Sequence, residues 1–284
     1  TQTVAVTITG TNDAPVVTNE ASALVGAVTE AGNQDDGTVV DGTATVSGTL
    51  SVSDVDSNAT RTWSIADEIP STTYGSIAID TSTGVWTYTL NNADTDTQAL
   101  KEGQSVTQTY TARATDEFGA YVDQTVTVTI TGTNDLPVAG AVIGTTSLTE
   151  DVTNSTFTID TPFSDVDTNA VLTYSAALID SNGTSTSLPS WLTFTPTYNT
   201  GSISDDTFTF TGTPRNSNVG NYTVRITATD DMGAVTTKDV TLTVANVNDA
   251  PMLISTIPDQ IVQENSFWTY TLPTGTFTDI DLPY

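Results

Sequence analysis

The chain has no cysteine and no histidine. Without cysteine there is no disulfide framework and no thiolate metal site. Without histidine the usual general base and the commonest zinc ligand are missing. Positive charge is scarce as well. Lys101, Lys238, Arg61, Arg113, Arg215 and Arg225 face 34 Asp and Glu residues, for a formal net charge of −28. That balance repels nucleic acid and anionic membrane surfaces. No apolar run is long enough to span a bilayer, so direct membrane insertion is not expected. There is no initiator methionine, signal peptide or basic leader, and the chain begins and ends inside recognisable patterns. It reads as an excerpt of a longer polypeptide. Only 37% of residues are hydrophobic, but they are laid out with period two, which argues for half-buried strands and against disorder.

What the chain has is repetition. Thr-Val-Ala-Val-Thr-Ile-Thr-Gly-Thr-Asn-Asp-Ala-Pro at residues 3–15 returns as Thr-Val-Thr-Val-Thr-Ile-Thr-Gly-Thr-Asn-Asp-Leu-Pro at 125–137. A looser copy, Asp-Val-Thr-Leu-Thr-Val-Ala-Asn-Val-Asn-Asp-Ala-Pro, occupies 239–251. The intervals are 122 residues from Asp13 to Asp135 and 114 from Asp135 to Asp249. Those are domain lengths, too long for a solenoid turn. The expected organisation is a final strand and linker in 1–13, complete units in 14–135 and 136–249, and the start of another in 250–284.

The first complete unit predicts strands near 23–29, 44–53, 62–66, 75–80, 85–90, 106–115 and 121–131, with a helical turn within 93–100. The second predicts strands near 138–148, 155–159, 171–178, 192–195, 208–211, 222–229 and 235–244. Asp80-Thr81-Ser82-Thr83-Gly84 and Asn182-Gly183 carry hairpin chemistry. Short strands, Gly/Asn/Asp turns and no helical periodicity predict an all-β fold: tandem immunoglobulin- or cadherin-like Greek-key β-sandwiches in an elongated array. Threonine suits the wet strand face, and Val, Ile, Leu and Tyr supply the core. Trp63, Trp86 and Trp191 read as core, and Trp268 as exposed for want of partners. Asp94, Asp96, Asp205 and Asp206 read as solvated loops.

Acidic residues recur in register. Asp13 is followed by Glu30, Asp54-Val55-Asp56 and Asp116-Glu117; Asp135 by Glu150, Asp165-Val166-Asp167 and Asp230-Asp231; Asp249 by Glu264 and Asp279-Ile280-Asp281. The Asp-x-Asp offsets are 41, 30 and 30 residues, the first lengthened by extra residues around 33–42. Residues i and i+2 of a strand share a face, so Asp-x-Asp aims two carboxylates at one place. Calcium takes six to eight oxygen ligands and needs neither His nor Cys, so Ca²⁺ is the expected cofactor.

Residues 48–56 (Gly-Thr-Leu-Ser-Val-Ser-Asp-Val-Asp), Tyr74-Gly75-Ser76-Ile77, 84–90 (Gly-Val-Trp-Thr-Tyr-Thr-Leu) and Ala99-Leu100-Lys101-Glu102-Gly103 resemble a VCBS repeat. Leu172-Thr173-Tyr174-Ser175, Leu188-Pro189-Ser190-Trp191-Leu192-Thr193-Phe194, Phe210-Thr211-Gly212-Thr213-Pro214 and Val219-Gly220-Asn221-Tyr222 resemble a dystroglycan-type cadherin-like (CADG) domain. Ile257-Pro258-Asp259-Gln260 to Thr278-Asp279 is similar to the opening of a second. Such repeats extend large bacterial surface proteins, including type I-secreted RTX adhesins. The resemblance therefore implies an extracellular, cell-surface location, a role in adhesion and biofilm formation, and neighbouring repeats as partners. Surface glycans or proteins would be bound by other domains.

The cadherin resemblance also implies a wiring. One joint would use Asn12, Asp13, Asp54, Asp56 and Asp116. The middle one would use Glu30, Asn134, Asp135, Asp165, Asp167 and Asp230. A third would use Glu150, Asn248, Asp249, Asp279 and Asp281. The chain lacks the Asp-x-Asn-Asp-Asn linker and the Asp-Arg-Glu motif of animal cadherins, which leaves fewer ligands per joint. A carbohydrate- or protein-binding module using aromatics and loops is the alternative. No enzyme is expected: a glycosidase needs one carboxylate pair, whereas these pairs recur with every repeat.

Overall fold

A computed structural model describes residues 1–34, 36–66, 73–141, 146–160, 163–199 and 205–281. The chain forms two compact units. One comprises Thr1–Val138 with Asp165–Thr173 and Thr229–Thr236; the other comprises Ala139–Ser164, Tyr174–Ala228 and Thr237–Tyr284.

The first unit is built on a sandwich of two sheets. One sheet has the order Val25–Thr29, Tyr121–Thr131, Ser105–Asp116, Arg61–Ile65; the other is Thr45–Thr49, Val85–Leu90, Gly75–Ile79. All pairings are antiparallel except Val25–Thr29, which runs parallel to Thr127–Thr131. The repeated Thr-Val-Thr-Val-Thr-Ile-Thr run shows why. Val126, Val128 and Ile130 are buried, while the alternate threonines lie on the wetter face of the same strand. Trp63, Trp86, Tyr88 and Tyr110 fill the space between the sheets. Trp86 donates from Nε1 to the Ala23 carbonyl at 2.9 Å. Gly48 is required beside it, because a Cβ there would lie 2.7 Å from the indole nitrogen. The hydroxyls of Tyr88 and Tyr110 both donate to Gln108 Oε1 at 2.8 Å, and burial pushes both phenols up. Truncating Trp86 to alanine would cost about 3–5 kcal/mol.

The second unit has a sheet ordered Ser155–Asp160, Thr207–Gly212, Leu192–Thr197. Its other sheet is ordered Thr146–Thr149, Val235–Ala245, Gly220–Thr229, Thr173–Ile179, Ser185–Thr186, in which Thr146–Thr149 runs parallel to Leu242–Ala245. Its core is richer in phenylalanine: Phe163, Phe208 and Phe210 are buried with Leu148, Ile159, Ile226 and Leu242. Phe157 stacks on Phe210 at 4.9 Å and Tyr174 meets Phe208 edge-on at 4.7 Å.

The fold is all-β, as the period-two pattern predicts, and strands Val85–Leu90 and Tyr121–Thr131 fall where expected. Several elements differ. The strand expected at 44–53 is split into Thr45–Thr49 and Val52–Ser53, with buried Leu50 turning inward and its N–H donating to the Gly84 carbonyl. The start of 23–29 is a 3₁₀ turn, Ala21–Leu24. Residues 138–148 hold two strands, Val138–Ala139 and Thr146–Thr149; positions 142–145 between them lie outside the described residues. Asp206 is not solvated. It is 1% exposed and accepts from the Tyr174 hydroxyl at 2.8 Å and the Asn199 N–H at 2.7 Å, which is how its carboxylate is satisfied. Asp94 is also engaged, capping the short helix Thr95–Gln98 by accepting from the Asp96 N–H.

Two segments carry no sandwich of their own. Residues 1–15 form no strand, and Val4, Val6 and Ile8 are exposed. In 250–281 the one strand pair is Met252–Leu253 with Phe277–Thr278, and no apolar side chain is buried among the described residues. Ile261 is 98% and Phe267 96% exposed, and Trp268, half exposed, stacks on Tyr270. Trp63 and Trp86 are core residues; Trp191 is half-buried against the edge of Tyr222.

Candidate metal centres: three acidic sets

The middle set lies wholly within the first unit. The Asp135 N–H donates to Asp167 Oδ2 and the Asp167 N–H to Asp165 Oδ1, each at 3.0 Å. Asn134 Nδ2 donates to Asp230 Oδ2 at 3.0 Å, and the other Asp230 oxygen accepts the N–H groups of Met232 and Ala234 at 3.0 and 2.8 Å. Glu30, fully buried, accepts from the Thr133 N–H at 3.3 Å and from Gln98 Nε2 at 2.8 Å. The backbone frame follows from sequence. Asp-x-Asp bends back so that its second amide meets its first carboxylate, and the Asn-Asp dipeptide then offers one amide to each acidic element.

Those donors do not satisfy every oxygen. Asp135 Oδ2, Asp165 Oδ2 and Asp167 Oδ1 are buried with no hydrogen-bond partner among the described residues. An ionised carboxylate only accepts, so these atoms call for a cation or a proton. Burial accordingly pushes Glu30 up to about 8, with the charges of Asp135 and Asp167 adding to it. Burial, with Asp165 and Asp135 beside it, pushes Asp167 up to about 7. Burial and Asp165 push Asp135 up to about 6, and Asp165 is raised by burial and by Asp230 and Asp231.

The first set repeats the frame. Asp13 N–H donates to Asp56 Oδ2 at 2.8 Å, Asp56 N–H to Asp54 Oδ1 at 3.0 Å, and Asn12 Nδ2 to Asp116 Oδ2 at 2.8 Å. Phe118 and Ala120 N–H groups reach Asp116 Oδ1, each at 2.9 Å. Here Asn12 and Asp13 are exposed. The Asn12 amide, with these backbone donors, holds Asp116 below the ordinary carboxylate range.

The third set lies in the second unit. Asp249 N–H donates to Asp281 Oδ2 at 2.8 Å and Asp281 N–H to Asp279 Oδ1 at 3.0 Å. Glu150 is fully buried; one oxygen accepts the Val247 N–H at 2.6 Å and Oε2 has no hydrogen-bond partner among the described residues. Carboxylate oxygens of Glu150, Asp249 and Asp281 lie within 4.8 Å of one another. Ligands on opposite sides of one calcium ion are about 5 Å apart, so these three can share an ion. Burial and the charges of Asp151, Asp281 and Asp279 raise Asp249. One expected member stands apart: Asn248 donates to the Asp249 carbonyl instead of an acidic element; Asp279 holds its place in the frame but is exposed.

Sequence reasoning missed Gln98 on Glu30, Asn216 Nδ2 on Asp281 at 3.3 Å, Asp151 beside Asp249, and Lys101 on Asp231 at 2.8 Å. Only Asp231 carried a signal, as the second member of an acidic pair. Chemically, the three sets offer hard oxygen ligands to a divalent cation. Among the described residues only the third set brings three carboxylate oxygens within 4.8 Å of one another; the unpartnered buried oxygens of the middle set call for a counter-charge without that convergence.

The family model described as "Putative Ig domain" matches residues 136–245. No curated protein matches the chain. Among solved structures, the chain is similar to protocadherin gamma B2 extracellular cadherin domains 1–5 at 17% identity, over 85% of this chain and 41% of that one, with a TM-score of 0.49. PcdhgB3 EC1–4 is 18% identical over 82% of this chain and 50% of that one, TM-score 0.48. Mouse cadherin-23 EC22–24 is 18% identical over 82% and 65%, TM-score 0.41. The chain thus spans less than two thirds of the length of each.

Proposed function

We propose that the chain is a calcium-rigidified extender of a bacterial surface or secreted adhesin, built of VCBS- and CADG-type repeats and holding a distal binding domain away from the cell. The observation that carries this reading is the backbone-to-carboxylate frame built three times on Asn-Asp linkers, with buried carboxylate oxygens in or beside two of its copies that find no donor among the described residues. Empty, the gathered carboxylates repel. At ~4 Å and surface-like dielectric each pair costs up to about 4 kcal/mol before screening. Calcium removes that repulsion and ties the linker to the loops around it. Extracellular modules bind at about 10⁻⁴–10⁻³ M, so such sites fill outside a cell and empty within it. Each sandwich would add about 40 Å, from strands rising ~3.3 Å per residue plus a linker.

The glycan-platform alternative loses two of its indoles, because Trp63 and Trp86 are core. The test is small-angle X-ray scattering in millimolar calcium and then in excess chelator. The expected result is a stiff rod that becomes shorter on average and more flexible on chelation. An unchanged profile overturns the reading.

A further inference from the structure

One loop of the first unit touches three parts of the middle set without using an ion. Gln98, at the end of the Thr95–Gln98 helix, donates to Glu30. The Ala99 carbonyl accepts both the N–H and the hydroxyl of Thr168, at 3.1 and 2.6 Å. Lys101 Nζ lies 2.8 Å from Asp231 Oδ2 and donates to the Asn169 carbonyl at 3.1 Å, while Asp231 Oδ1 accepts the Val171 N–H at 3.3 Å. The other described ion pairs, Arg113–Asp123 and Arg225–Asp239, lie 10 and 14 positions apart; Lys101 reaches 130 positions to Asp231. Glu117 follows Asp116 as Asp231 follows Asp230, and accepts the Thr60 N–H at 2.8 Å, but has no ion-pair partner among the described residues.

We propose that Lys101 is a positioning residue, a metal-independent latch that keeps segments 165–171 and 229–231 seated on loop 98–101 when calcium leaves. The proposal rests on the calcium reading above and adds a regulation to it: the middle set stays assembled and ready to refill. Lysine suits the task because a compact ammonium with three donors bridges a carboxylate and a carbonyl at once. Its charge also opposes the rise of Asp165 and Asp167. The loss of one calcium thus leaves one fixed positive charge among the carboxylates.

The test is hydrogen exchange at the Thr168 and Val171 amides of the whole 284-residue chain, for the native protein, Lys101→Met and Lys101→Arg. With calcium present, all three should be equally protected. In chelator the native chain should keep most of its protection, Lys101→Met should exchange about tenfold faster, and Lys101→Arg should recover most of the difference. Added salt should erode the chelated native protection and leave Lys101→Met unchanged. The latch is overturned if Lys101→Met in chelator matches the native chain, or if chelation alone strips the native chain of protection. If Lys101→Met also loosens the amides of Tyr121–Thr131, Asp231→Asn decides in its place, since it removes the charge but keeps an acceptor for Val171. Failure of the calcium reading looks different: calorimetry would detect no calcium binding, while the Lys101→Met difference would persist in plain buffer.

Discussion

The first and middle acidic sets share a frame and differ in cover. Both hang an Asn-Asp amide pair on an Asp-x-Asp and an acidic turn, with donor distances that agree within 0.2 Å. Yet Asn12 is exposed and Asn134 is 3% exposed. Asp116 is held below the ordinary range, whereas Glu30, Asp135, Asp165 and Asp167 are all pushed up. Around the middle set that cover is Glu30, Thr133 and the 98–101 loop; residues 1–11, ahead of the first set, form no strand and are exposed. Hydrogen bonds to backbone amides alone leave carboxylates content in water. Burial turns the same frame into one that needs a counter-charge.

The comparison breaks most sharply at the middle Asp-x-Asp. Asp165→Ala with Asp167→Ala should weaken calcium binding there by about a hundredfold or more, measured by calorimetry, and leave the first set's binding untouched. Unchanged affinity would remove the middle set from the ligands. Next in size is Glu30→Gln, which deletes a buried charge and keeps the shape. Without calcium at pH 8 it should stabilise the chain by about 1–2 kcal/mol in thermal unfolding, and with calcium it should lower affinity about tenfold. Stabilisation in chelator paired with weakening in calcium is a signature that a merely structural glutamate would not give.

The pH dependence follows from the same contrast. A carboxyl raised in the folded state holds its proton more tightly there than in the unfolded chain. The stability this gives is therefore complete below the unfolded value and is lost as pH rises through the folded one. For Glu30 that window runs from 4.5 to about 8, with Asp167 falling inside it at about 7. Asp116 works in the opposite sense, its contribution lost only as pH falls below 3.8. The calcium-free chain should thus melt roughly 5 °C lower at pH 8 than at pH 5.5, and saturating calcium should abolish the difference. Calcium binding at pH 7 should release roughly one to two protons from the middle set, read by calorimetry in buffers of different ionisation enthalpy.

Much of this was legible in the chain. Alternation in residues 85–90 and 121–131 marks strands because one face must be apolar, and it gives their limits. The register of Asn-Asp, Asp-x-Asp and the acidic pair named residues that the frame brings together, because repeats fold alike. What the sequence hid was contextual. Asp206 looks like any loop aspartate until the Tyr174 hydroxyl is seen beside it. Gln98 and Lys101 lie in a polar loop whose composition says nothing of where it docks. The split of 44–53 at Leu50 depends on a hydrogen bond to Gly84, 34 positions away. Asn248 carries the same dipeptide as Asn12 and Asn134, yet its side chain donates to the Asp249 carbonyl at 2.9 Å.

The smallest contrast is the asparagine itself. Asn12 and Asn134 make the same bond, to Asp116 at 2.8 Å and to Asp230 at 3.0 Å. Replacing Asn134 by alanine strips a donor from a buried carboxylate and should cost about 1–3 kcal/mol in chelator. Asp116 is as buried as Asp230, 7% against 6% exposed, but Asn12 itself is exposed, so in Asn12→Ala water can take the amide's place beside the two backbone donors and the cost should be at most about 0.5 kcal/mol. The ratio of the two losses in denaturant unfolding measures cover alone, since donor, acceptor and geometry are held constant. Equal losses would mean that water reaches Asp230 as easily as Asp116, and the explanation of the raised middle carboxylates by burial would fall with it.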